Sequence, residues 1–218
     1  MRWICVGALL ALALVPAAAA KAPPDGFRIC GASACTAIVG NDAEALAIRA
    51  FYSSAPTQWN APPPGPFYVL HWRWDAREPE QTAYYVAPAQ ALRIAPGASG
   101  PLANPFGWTL VDTATESILA RLTTSLEPFA GAVVAIARVG GRPARDPASY
   151  ARLWSVGTPR TYAHATPWLH VKLVTDVPSP WAGDIEVARR VPFLLRDQTM
   201  FRISPTLAAR IRARASLR

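Results

Sequence analysis

Two short stretches gather the residue types that do chemistry. Val69-Leu-His-Trp-Arg-Trp74 sets His71 and Arg73 two positions apart, and Trp168-Leu-His-Val-Lys-Leu173 does the same with His170 and Lys172. In an extended strand, side chains two apart share a face. Each stretch therefore presents an imidazole beside a fixed cation, a pairing suited to an anionic group or, with a carboxylate in reach, to the base of a hydrolase. The hydrolytic set would be His71 and His170 with Asp75 and Asp176, the acids that follow each stretch. The competing reading is an ordinary sheet face, with each histidine packed against cross-strand neighbours.

The rest of a hydrolase is hard to find. The chain has no G-x-S-x-G, H-E-x-x-H or S-x-x-K, and no Walker or G-x-G-x-x-G glycine loop. His71, His164 and His170 lack the paired spacing of a zinc site, so neither metal nor cofactor is expected. Asp176 and Asp184 flank Val-Pro-Ser-Pro-Trp-Ala-Gly183, where a carboxylate usually closes a turn. Tryptophan is plentiful and could stack on sugars if exposed. Trp72 and Trp74 fall on the expected core face, which leaves Trp59 and Trp181 as the candidates for touching a partner.

Charge is unevenly placed. Lys21 to Ala137 holds 7 basic and 9 acidic residues, whereas Arg138 to Arg218 holds 14 and 5. Such a skew suits attraction to an anionic surface, and Arg73, Lys172, Arg210 and Arg214 are the residues expected to meet it. A solvated arginine-rich face that keeps a 51% hydrophobic chain in solution is the plainer reading.

The first twenty residues, MRWICVGALLALALVPAAAA, join a basic start, an apolar run and A-x-A choices, the pattern of a secretory signal peptide. Residues 21–218 would then form a single compact domain outside the cytoplasm, secreted or at the cell envelope, with Cys5 discarded. An uncleaved anchor is the alternative, at the lower edge of the roughly 17 residues needed to span. Cys30 and Cys35, left in an oxidising compartment, are expected to form one disulfide at the mouth of a hairpin. A secreted chain rarely meets nucleic acid, and none is expected as a partner. The chain is expected to be monomeric.

The elements around these residues read as α+β, antiparallel β-meanders with packed helices. Expected helices start at Asn41 and Thr113, both read as capping boxes, and at Asp146-Pro147 and Ser204-Pro205. Expected strands are Phe67 to Trp74, Thr82 to Val86, Leu92 to Ile94, Trp108 to Leu110, Ala132 to Val139 (buried), Trp168 to Val174, Ile185 to Val191 and Met200 to Ile203. Aligning His71 with His170 suggests two similar βββα units, 67–129 and 168–214, with Leu92-Arg93 set against Leu195-Arg196. Related by a pseudo-twofold axis, the two histidine faces could converge. The leading expectation is a non-enzymatic binding or structural module that touches anionic cell-wall polymer or membrane, and the alternative is an extracytoplasmic hydrolase.

Overall fold

The computed structural model describes residues 24–48, 57–58, 61–95, 108–160, 167–196 and 199–216. The signal-like segment, Trp59 and His164 lie outside them, as do Phe51 and Tyr52, expected to extend the first helix. The fold is α+β, with two antiparallel seven-stranded sheets.

The first sheet contains β1 (Asp25–Cys30), β2 (Cys35–Ala37), β3 (Thr57–Gln58), β4 (Tyr68–Arg73), β5 (Gln81–Val86), β6 (Ala91–Ile94) and β7 (Trp108–Leu110). Helix α1 (Gly40–Leu46) follows β2, and α2 (Thr113–Thr123) follows β7. The second contains β8 (Val134–Val139), β9 (Arg142–Pro143), β10 (Thr158–Arg160), β11 (Trp168–Thr175), β12 (Gly183–Ala188), β13 (Phe193–Arg196) and β14 (Thr199–Arg202). A 3-10 helix, Pro147–Trp154, follows β9, and α3 (Pro205–Ser216) follows β14. The sheet orders are β2-β1-β4-β5-β6-β7-β3 and β9-β8-β11-β12-β13-β14-β10. Counted within its own half, each sheet thus runs 2-1-4-5-6-7-3, with helical segments after its second and seventh strands. The shared pattern reaches beyond the two βββα stretches, taking in the hairpin and helical segment that precede each.

Local chemistry explains most element boundaries. Cys30 pairs with Cys35 across β1 and β2, and a disulfide joins them. The corresponding hairpin, β8 and β9, turns on Gly140 and Gly141 at φ 56° and 82°, the left-handed pair that a two-residue hairpin needs. Helix α2 is capped by Asp112, whose Oδ1 accepts from Thr115 N–H at 2.7 Å, one residue earlier than the Thr113 cap expected. Helix α1 starts at Gly40, one residue before the expected Asn41 cap, and its cap position is Val39, whose side chain has no acceptor; the first-turn Asp42 pairs with Arg121 at 2.7 Å. Asp146 makes no side-chain cap either. Ser204 does cap α3, its Oγ accepting from Leu207 N–H at 3.2 Å.

The sheets differ in what covers them. One face of the first sheet, with Phe27, Ile29, Tyr68, Leu70, Trp72, Tyr85 and Leu92, packs on Leu46, Leu119 and Leu122 of α1 and α2. Its opposite face, with Val69, Tyr84, Val86, Ala91 and Trp108, is also buried, in one cluster with Trp154, Trp181 and the helix-facing side of the second sheet. Val69 was expected away from the core, and packing of the second half onto this face is what buries it. Trp181 anchors the junction. Its ring centroid lies 5.9 Å from Phe67 and 5.8 Å from Trp108, and its Nε1–H donates to Pro62 O at 2.9 Å. The expectation that Trp181 touches a partner is therefore corrected: it is buried inside the molecule.

The second sheet is covered on one face alone. Leu169, Val171 and Leu173 of β11 are buried, while His170, Lys172 and Val174 are exposed. Strand β8, expected to be fully buried, exposes Ala135, Ile136 and Arg138 on the same open face. Arg93 and Arg196, aligned in sequence, do not correspond: Arg93 lies on the face of the first sheet away from its helices, its guanidinium 4.7 Å from the Trp154 ring. Arg196 lies on the helix side of the second, donating to Leu153 O and stacking 4.1 Å from Phe201.

Candidate functional site

The two histidines occupy matching strands, each the fourth of its sheet, on the face turned away from that sheet's helices. Each meets a carboxylate from the next strand, and neither is the one nearest in sequence. Glu80 comes one residue before β5, where Gln81 pairs with Trp72, and so lies across from Arg73. Its Oε2 is 3.2 Å from His71 Nδ1, and its Oε1 is 2.9 Å from Arg28. Asp184 lies across from Lys172, and its Oδ1 is 3.1 Å from His170 Nε2. Asp75 instead accepts from Arg77 N–H at 2.8 Å, an Asx turn, and Asp176 accepts from Val133 and Val177 N–H at 3.0 Å, closing its turn.

These pairs are poorly arranged for hydrolysis. Relay catalysis needs the carboxylate on one ring nitrogen and the nucleophile on the other. Among the described residues, the hydroxyl that reaches His71 is Thr82 Oγ1 at 3.5 Å, and it meets Nδ1, the nitrogen that already faces Glu80. His71 is half-buried, and that burial holds its pKa below 6.5; Glu80 pulls upward and Arg28 downward by smaller amounts. A lowered pKa favours the neutral ring, yet among the described residues no nucleophile is placed to use it.

The two histidines are not brought together. The first sheet's outer face packs on the layer that covers the second sheet's inner face. His170 lies on the far side of that second sheet, exposed to solvent. Arg73 and Lys172 follow their histidines into separate places. Lys172 sits in register between Arg138 and Asp184, so its charge is partly offset.

Arg210 and Arg214 are placed differently. They lie one turn apart on α3 and line an open groove between that helix and the 3-10 helix Pro147–Trp154. Ile211, from the buried stripe of α3, and Leu153 form its apolar floor with Leu207. Arg152, Ser149 and Tyr150 line the opposite wall. Among the described residues, Arg152, Arg210 and Arg214 form no ion pair. Burial raises the Tyr150 pKa above 10.0, outweighing the nearby Arg214 charge that lowers it, while Asp146 adds a smaller upward push. Its hydroxyl is therefore protonated at neutral pH and hydrogen-bonds to nothing else among the described residues. Ser149 is already committed, donating to Asp146 O at 2.8 Å.

Sequence reasoning found Arg210 and Arg214 but missed Arg152 and Tyr150. Their only signal is the 3-10 helix, and nothing local says which helix it faces. Of the six described tryptophans, four serve the core rather than a stacking platform: Trp72, Trp108, Trp154 and Trp181 are fully buried. Among the described residues no cluster of three or more His, Cys, Asp or Glu could hold a metal ion, and no helix is long and apolar enough to cross a membrane. The chain matches no protein-family model, no curated protein and no solved structure.

Proposed function

We propose that this protein is a non-enzymatic binding module of the cell envelope or the secreted space, working as a monomer and holding anionic polymer or membrane through its second half. The observation that carries this reading is the groove between α3 and the 3-10 helix, where Arg152, Arg210 and Arg214 gather with no ion-pair partner among the described residues. Guanidinium groups left unpaired beside an apolar floor are poised for an external anion. The Cys30–Cys35 disulfide is compatible with an oxidising, extracellular setting. The hydrolase reading keeps its two His–carboxylate pairs, but with no nucleophile suitably placed beside either among the described residues it ranks second.

Binding of the purified protein to anionic vesicles and to an acidic polysaccharide, measured across a salt series, tests the proposal. Contacts of this kind weaken as ionic strength rises, because the screening length shortens from about 10 Å at 0.1 M to about 3 Å at 1 M. Absence of binding to both, or binding indifferent to salt, defeats the reading. Detected turnover that His71→Ala and His170→Ala abolish would promote the hydrolase instead.

A further inference from the structure

We infer that the α3 groove is built for one phosphomonoester group, its dianion held by Arg152, Arg210 and Arg214 and its substituent resting on Leu153, Leu207 and Ile211. The inference rests on the anionic-surface reading and narrows it from a charged face to a single pocket with one preferred chemistry.

Donor count separates the possible anions. A carboxylate has two oxygens, and one guanidinium satisfies both in a fork-to-fork contact. Three guanidiniums and the Tyr150 hydroxyl offer far more donors than two oxygens can accept. A phosphomonoester presents three strong acceptor oxygens and about −1.5 to −2 charge at neutral pH. A sulfate ester matches the oxygens but carries a single negative charge, and a phosphodiester has two free oxygens and a single negative charge.

Polarity adds a second constraint. The lining is of two kinds, with Arg152, Arg210, Arg214 and Tyr150 polar and Leu153, Leu207 and Ile211 apolar. Arg210 is exposed and Arg214 half-exposed, so both can close on a ligand from solvent. Asp146 is near enough to Tyr150 for its charge to be felt, but it does not line the groove.

The test is calorimetric titration of the purified protein with phenyl phosphate, phenyl sulfate and benzoate, three probes sharing one ring. Phenyl phosphate should bind about tenfold or more tightly than benzoate, and more tightly than phenyl sulfate. Its affinity should fall as pH drops below about 6, where the second phosphate proton returns, while the arginines stay charged. The double variant Arg210→Ala with Arg214→Ala, both on the solvent side of α3, should lose about tenfold or more. Arg77→Ala, in the turn after β4 of the first sheet, should change nothing.

Vesicles containing phosphatidic acid, compared with phosphatidylglycerol at equal charge, separate the sources. A preference for phosphatidic acid that the double variant loses identifies a lipid phosphomonoester; phenyl phosphate binding without it identifies a soluble one. Equal affinity for benzoate and phenyl phosphate, or a double variant that binds like the parent, overturns the inference. If the parent then still binds anionic vesicles or polysaccharide in a salt-sensitive way, the broader reading survives; if it binds neither, that reading falls separately.

Discussion

The two sheets have the same strand order and place a histidine, a cation and an acid at corresponding positions, yet one histidine is half-buried and the other is wet. In the first sheet, β4 and β5 are buried along nearly their whole length. In the second, β11 alternates strictly between buried and exposed. The difference comes from what lies over each face. The first sheet is sandwiched between its helices and the second half, the second sheet between its helical layer and water. A strand's own pattern therefore fixes one face of a sheet, and the neighbouring unit decides whether the other is core.

A small difference in length creates that neighbour relation. The connection from Lys172 to Asp184 is five residues longer than the one from Arg73 to Glu80, and it carries Trp181. The longer turn places this ring against Phe67 and Trp108 of the other sheet. Trp181→Ala should be the most damaging single change, costing about 3 to 5 kcal/mol as a large buried ring is deleted. Urea unfolding followed by Trp fluorescence and by circular dichroism should then separate into two transitions, the first sheet loosening first. A loss below about 1 kcal/mol with one transition would mean that the sheets are joined mainly by something else.

The next contrast lies at the two hairpins. Cys30 and Cys35 tie β1 to β2, whereas β8 and β9 are joined by the Gly140–Gly141 turn alone. The stapled turn also docks on the segment that follows α2: Ala32 N–H donates to Glu127 O at 2.8 Å, and a side chain at Gly31 would place its Cβ against that same carbonyl. Replacing both cysteines with serine should cost about 2 kcal/mol, the loop-closure value for so short a ring. Amide exchange should quicken at Ile29 and Ile38 and stay unchanged at Val139. Equal acceleration in both sheets would show that the staple supports the whole molecule and not one hairpin.

How far the sequence could be read follows from the same contrast. The alternation of Trp168 to Val174 identified both faces of β11, because its outer face is free. The equally regular run Phe67 to Trp74 identified the helix-facing side but not the fate of Val69, since nothing in that strand encodes the docking of a later segment. Strands β3, β9, β10 and β13 were missed; two are of two residues, one is of three, and β13 is a four-residue piece with no alternation of polar and apolar types. The disulfide was legible from spacing and small intervening residues. The histidine partners were not, because Glu80 and Asp184 reach their rings diagonally across a strand pair, while Asp75 and Asp176, nearer in sequence, are used by turns. Half of the arginine groove was visible as the i, i+4 pair on α3, and the other wall depends on a packing that no local signal states.

The smallest effects should come from the two histidine pairs. His170 and Asp184 are both more than half exposed, so Asp184→Asn should cost a few tenths of a kcal/mol, about 0.3, and less in high salt. Glu80 is better sheltered and serves both His71 and Arg28, so Glu80→Gln should cost about 0.5 to 1 kcal/mol at neutral pH. Acid adds a further contrast. Burial lowers the His71 pKa in the folded protein, so as pH falls through about 6.5 the unfolded chain takes up its proton first. The stability His71 contributes by staying neutral is complete above that pH and is lost progressively until the folded-state value is reached. Glu80 is what pulls that value upward, so Glu80→Gln should lower it further and extend the loss to lower pH. Urea midpoints for the parent and Glu80→Gln should therefore diverge on going from about pH 7 to about pH 5. His71→Gln should remove the part of the slope that belongs to this ring. If Glu80→Gln leaves the midpoints parallel across that range, the charge of Glu80 does not act on His71, and the resemblance between the two pairs is one of position alone.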